Sequence, residues 1–186
     1  MILHGFAAAL AQLEDQASPF NRTTMPTVRS TVLPEGALLA RYVGTGAHTD
    51  CYSVGASRST SLAEFIEAFY NTPLFKVERR LLSAVAAFRS TDDEVRELAR
   101  GDRTRFAAWT VEAREPHQIL LAAGRTRSWL MVAPAGTSDV LFFGSAVVPQ
   151  RNGGLGWLFT ALLGVHSVYS RLLLGAAARR LAGGRL

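Results

Sequence analysis

The chain is poor in the features that usually announce a function. It has one cysteine, Cys51, so no internal disulfide can form. A lone thiol suits a reducing, cytoplasmic setting. Lys76 is the only lysine among 20 basic residues. No GxSxG, P-loop, HExxH or CxxC motif occurs, which removes the most specific signals for hydrolase, nucleotide and zinc chemistry. Glycine shows no period and no heptad run is sustained, so collagen-like and coiled-coil classes are excluded. Charge is scarce as well. Charged residues make up 19% of the chain against 48% hydrophobic. A disordered chain would reverse that balance, so a folded core is expected.

The net charge of +5 is unevenly placed. Acidic and basic groups cancel up to Pro149. Beyond it stand Arg151, Arg171, Arg179, Arg180 and Arg185 with no acid among them. A nucleic-acid binder carries its cations on a face of the fold, interleaved with aromatics. A neutral body with a basic tail does not fit that, and no nucleic-acid partner is expected. The stretch Met1 to Leu13 lacks the positive n-region of a signal peptide.

The chain divides into a lead-in, 1–36, and a single domain, 37–186. Pro19, Pro26 and Pro34 among serines and threonines make the lead-in extended. Leu38 to Val43 and His48 to Val54 read as strands around the turn Gly44-Thr45-Gly46. Ser61-Leu62-Ala63-Glu64 is a capping box, and Leu62, Phe65, Ile66 and Phe69 follow at helical spacing. Thr72 and Pro73 are the N-cap and first residue of a second helix, with Leu74, Val77, Leu81, Val85 and Phe88 as its apolar stripe. Thr91 to Glu94 is another capping box, and Gly101 closes that third helix. Strands are then predicted at 106–114, 118–123, 125–133 and 139–148. Their short connections demand an antiparallel meander, since parallel strands need long crossovers. One long helix, Leu155 to Leu181, ends the chain. Its stripe Leu158, Leu162, Val165, Tyr169, Leu172 suits packing on a sheet. Arg171 within it argues against a membrane span.

The expected class is therefore α+β, an antiparallel curved sheet wrapped around a long C-terminal helix. Strand Asp50 to Val54, the Ser61 to Phe88 helices, the Phe106 to Val148 meander and the last helix carry a resemblance in element order. The chain resembles the helix-grip fold of the START and Bet v 1-like (SRPBCC) superfamily. That resemblance implies an apolar cavity between sheet and helix. It leaves function open, because the superfamily contains carriers, cyclases and hydrolase-like enzymes.

No metal site is expected. The four histidines are scattered, and on a strand Cys51 faces away from His48 and Asp50. Cys51 reads as a buried, inert thiol. The candidate ligand-binding residues are polar groups within the meander and the last helix. Arg127 and Trp129 share a strand face and would suit an anionic head group on an apolar body. Glu112 is the expected partner of Arg127. Asp50, Tyr52, His166 and Tyr169 are further wall residues. A pocket is expected between the meander and residues 158–172, with Trp129 on its wall, Arg127 at its mouth and Ala146 facing in. Three functions follow. The first is binding of a small apolar or amphipathic molecule without a cofactor. The second is an enzyme of cyclase or hydrolase type with His166, Glu112 or Asp50 as acid or base; no catalytic residue is assigned. The third is weak docking of the basic last helix on an anionic membrane surface.

Overall fold

The structure, a computed structural model, describes residues 27–73, 75, 91–149 and 157–183, except the side chains of 157–165. The strands are β1 (Arg29–Ser30), β2 (His48–Gly55), β3 (Arg105–Phe106), β4 (Trp109–Glu115), β5 (Gln118–Ala123), β6 (Thr126–Ala135) and β7 (Ser138–Val147). The helices are α1 (Leu62–Tyr70), α2 (Asp92–Arg100) and α3 (Trp157–Ala182), with a 3-10 helix at Leu38–Tyr42. The expected helix over 74–88 lies outside the described residues.

All strand pairs are antiparallel, in the order β1-β2-β7-β6-β5-β4-β3. The last strand returns beside β2 at the centre, and the last helix crosses the face it completes. The class is α+β, a curved open antiparallel sheet held against a C-terminal helix.

Local chemistry sets the helix ends. Ser61 accepts from the Glu64 amide while Glu64 accepts from the Ser61 amide, and Thr91 with Glu94 repeats the device. Each box satisfies two otherwise orphaned donors. Thr72 Oγ1 accepts from Phe75 N at 3.2 Å, the expected cap. Gly101 ends α2 at φ 89°, a left-handed conformation that glycine adopts without a Cβ penalty. The Arg114 guanidinium donates to the α2 carbonyls of Leu98 and Ala99, a cation on the negative end of the helix.

Strand parity gives the sheet two apolar faces. Towards the helices point Tyr52, Val54, Ile119, Leu121, Leu130, Val132, Leu141 and Phe143. They bury Phe65, Ile66, Phe69 and Tyr70 of α1, Val95 and Leu98 of α2, and Leu173, Leu174, Ala177 and Leu181 of α3. A fully buried side chain of this size contributes about 1.5–3 kcal/mol. The expected burial of Leu162 and Val165 lies outside the described side chains. On the outer face Cys51, Leu120, Trp129 and Ala146 pack under Ala37 and Leu39.

Three expectations are corrected. Leu38 to Val43 is a 3-10 helix rather than a strand: it crosses the outer face and pairs with no strand, and Leu39 plugs the second core. The strand expected over 106–114 is split by a tight turn at Ala107-Ala108, with Ala107 at φ 49°. Ala146 faces the outer core, not the helix, because it alternates with Ser145.

Candidate functional site

The helix-facing surface of the sheet turns polar at one end. Asp50 of β2, Ser145 of β7 and Ser128 of β6 are consecutive register partners, so three polar side chains form a row across three strands. Ser145 donates twice to Asp50 Oδ1, from its amide at 2.9 Å and from Oγ at 2.7 Å. Asp50 Oδ2 lies 3.5 Å from both the Tyr52 hydroxyl and His166 Nε2. His166 Nε2 is also 2.9 Å from Ser145 Oγ. At the far end of the row Ser128 Oγ meets the Tyr70 hydroxyl at 3.3 Å.

The proton directions follow from the acceptors. Ser145 has one hydroxyl proton, and the nearer, anionic acceptor is Asp50. His166 Nε2 then carries a proton and donates to Ser145 Oγ. This is not the arrangement of a nucleophilic triad, where the serine gives its proton to the imidazole and the carboxylate holds the other ring nitrogen. A serine whose proton is committed to a carboxylate is not activated for attack. The cluster is a partly buried polar anchor between sheet and helix: Asp50 is 13% exposed and His166 33%.

Two neighbours complete the surroundings. Burial pushes the Tyr52 hydroxyl up from its ordinary value, and the Arg171 guanidinium lies over its ring at 5.5 Å. Ser170, one turn after His166 on α3, is fully buried, and its Oγ has no hydrogen-bond partner among the described residues. Tyr169 packs half-buried against the helix-face core.

Arg127, Glu112 and Trp129 lie on the opposite face, which corrects their expected place in a helix-side pocket. Residues 128, 130 and 132 face the helices, so 127, 129 and 131 cannot. The expected Arg127–Glu112 pair exists, at 2.6 Å between Nε and Oε2. A β-bulge makes it: the register jumps between Val111 and Ala113, leaving Glu112 as the extra residue, re-aimed across the surface. Tyr42 joins them, its hydroxyl 2.7 Å from Glu112 Oε1 and 2.7 Å from Arg127 Nε. Burial, then the hydrogen bond to Glu112, raises the Tyr42 hydroxyl above its ordinary value. Trp129 is fully buried and donates to Gln118 Oε1 at 2.8 Å. The same oxygen accepts from Leu38 N, and Gln118 Nε2 donates to Gly36 O. These residues clamp 36–42 onto the sheet.

Cys51 is buried in the outer core, and burial pushes its thiol up to about 12. A thiol held protonated is no nucleophile at neutral pH. Among the described residues no three metal-ligating side chains converge. No described helix is long and apolar enough to cross a membrane. Comparison with protein-family models, with curated proteins and with solved structures finds no match.

Proposed function

We propose that the protein binds a small amphipathic molecule on the helix-facing side of the sheet, its polar end at Asp50, Ser145, His166 and Ser170. The observation that carries this reading is the buried Ser170 hydroxyl, which has no partner among the described residues. Leaving a buried hydroxyl unsatisfied costs about 1–3 kcal/mol, which a bound polar group would recover. An apolar body is favoured because the row adjoins the aromatic and aliphatic core of Tyr52, Phe143 and Leu174. The sheet order and the crossing helix support membership of the START-like superfamily, and the buried lone thiol supports a cytoplasmic setting.

Native mass spectrometry of freshly purified full-length protein tests the reading. A co-purified molecule of constant mass is expected, and Ser170→Ala should reduce its occupancy several-fold. The same substitution should raise the melting temperature of ligand-free protein, because it removes an unsatisfied hydroxyl. Unchanged occupancy in the variant would remove the proposed site.

One observation favours an enzyme as second reading. Asp50 and His166 are two titratable groups within 3.5 Å on the same side of the sheet. They fit general acid–base chemistry. Glu112, on the other face, has no part in it.

A further inference from the structure

Among the described residues, the three helices line a half-open pocket that shares no residue with the Asp50–His166 cluster. Its volume is about 390 Å³, and it is lined by Glu67, Asn71, Asp92, Arg96 and Arg180. Each helix contributes by its own periodicity. Glu67 and Asn71 are four residues apart at the end of α1, and Asp92 and Arg96 four apart on α2, so each pair shares a helix face. Arg180 comes from the last turns of α3. All five side chains are polar, in a region that elsewhere is packed with Phe69, Val95 and Leu181.

Two atoms of this lining have unmet demands of opposite kind. Asn71 is 8% exposed, and its Oδ1, an acceptor, has no hydrogen-bond partner among the described residues. Arg180 Nε, a donor, is buried without one. Native structures rarely leave such groups unpaired, and each one calls for an explanation. The formal charges balance, with two carboxylates against two guanidiniums. Arg96 is already held in part, 2.6 Å from Asp93.

The geometry points to a second binding site, for a small polar zwitterion of the α-amino-acid type. An ammonium group donates to Asn71 Oδ1 between the carboxylates of Glu67 and Asp92. A carboxylate accepts from Arg180 Nε, with Arg96 beside it. A simple anion would leave Asn71 Oδ1 facing another acceptor, and a simple cation would leave Arg180 Nε unanswered. The pocket falls within the ~300–1,000 Å³ range of small-molecule sites. It shares no residue with the site proposed above, so either can fail alone.

Calorimetric titration of the full chain tests this with glycine, L-serine and L-glutamine as probes, beside acetate and methylammonium. Concentrations of about 10 mM suffice for a site of roughly millimolar Kd. At least one amino acid should bind saturably, and both single-charge analogues at least about tenfold more weakly, as expected when a charge-assisted bond is lost. Arg180→Gln and Glu67→Gln should each weaken that binding about tenfold, with circular dichroism showing the fold retained. If one variant fails to fold, the other decides. No saturable binding of any of the three, equal binding of acetate, or binding unchanged in the folded variants would overturn the proposal.

Discussion

Asp50 and Ser145 face each other across β2 and β7, and one carboxylate oxygen of Asp50 takes both the amide and the hydroxyl of Ser145. The other oxygen faces His166 and Tyr52. The carboxylate thus serves only donors. Asp50→Asn keeps the shape but turns an amide N–H₂ towards Tyr52 and His166, or towards Ser145. Hydrogen bonds to charged groups contribute about 1.5–3 kcal/mol each, so a loss of about 2 kcal/mol is expected in urea denaturation. A midpoint equal to wild type would show that the row is not an anchor.

Gly144 is the most tightly packed of the described glycines. A Cβ there would lie 2.8 Å from the Asp50 carbonyl oxygen, 2.8 Å from Leu39 Cδ2 and 3.1 Å from Trp129. The carbonyl belongs to the backbone and cannot swing away. Gly144→Ala should cost about 1–3 kcal/mol by overpacking. Gly55→Ala is the control, since nothing lies within 4 Å of its added Cβ. Equal melting temperatures for the two variants would contradict the packing described.

Acid should weaken the fold through Glu64. Its carboxyl is lowered from 4.5 to about 2, first by the Arg58 hydrogen bond and then by the Ser61 amide. The native state therefore holds the charged form more firmly than the unfolded chain does. That contribution is complete above the unfolded value of 4.5 and fades as pH falls towards 2. Glu64→Gln should flatten the loss of stability between pH 4.5 and 2 and lower stability at pH 7 by about 1 kcal/mol, as loss of a cap does. Thermal melts at several pH values measure both.

Residues 1–149 alone should give no cooperative thermal transition. Leu173, Leu174, Ala177 and Leu181 are at most 2% exposed, and removing α3 would open to water the part of the helix face that it covers, over β2 and β7. A sharp melt of the truncated chain would show that the sheet does not need its helix.

The last helix also offers a test of membrane docking. Val168 and Leu172 are 53% and 42% exposed, with Arg171 and Arg179 exposed beside them. If that face docks on anionic lipid, co-sedimentation with phosphatidylserine vesicles should fall steeply as salt rises, because exposed charges are screened over about 10 Å at 0.1 M. No sedimentation at low salt would end that reading.

The class was legible in the sequence because local signals agreed with the final packing. The capping boxes at Ser61 and Thr91, the stop at Gly101 and the short links of the meander all mark what the structure contains. The site was less legible, for a reason of parity. Arg127, Trp129 and Met131 look like an inward set because they include two bulky apolar residues. Here both faces of β6 are buried, so alternation alone could not say which set meets the helix. Ser145 sits between Gly144 and Ala146 with no local signal of its own; only its register opposite Asp50 gives it meaning. Asn71 and Arg180 had no sequence signal, since their shared pocket depends on how three helices converge. Leu38 to Val43 looks like a strand from its apolar residues, but the Gln118 side chain of β5 holds the Leu38 amide over the outer face, away from any strand ladder.

The bulge at Glu112 bears on how this protein behaves among its own copies. Among the described residues β4 pairs along its free edge with only the two residues of β3, so the strand beyond them is a margin with no described partner strand. A second chain adding itself there would need a regular ladder of amides and carbonyls. The inserted residue breaks the spacing of that ladder, and Glu112, Arg114 and Glu115 set three charges along it. The irregularity that aims one carboxylate at Arg127 therefore also denies a neighbouring molecule its template, and guards this margin against growth into aggregates.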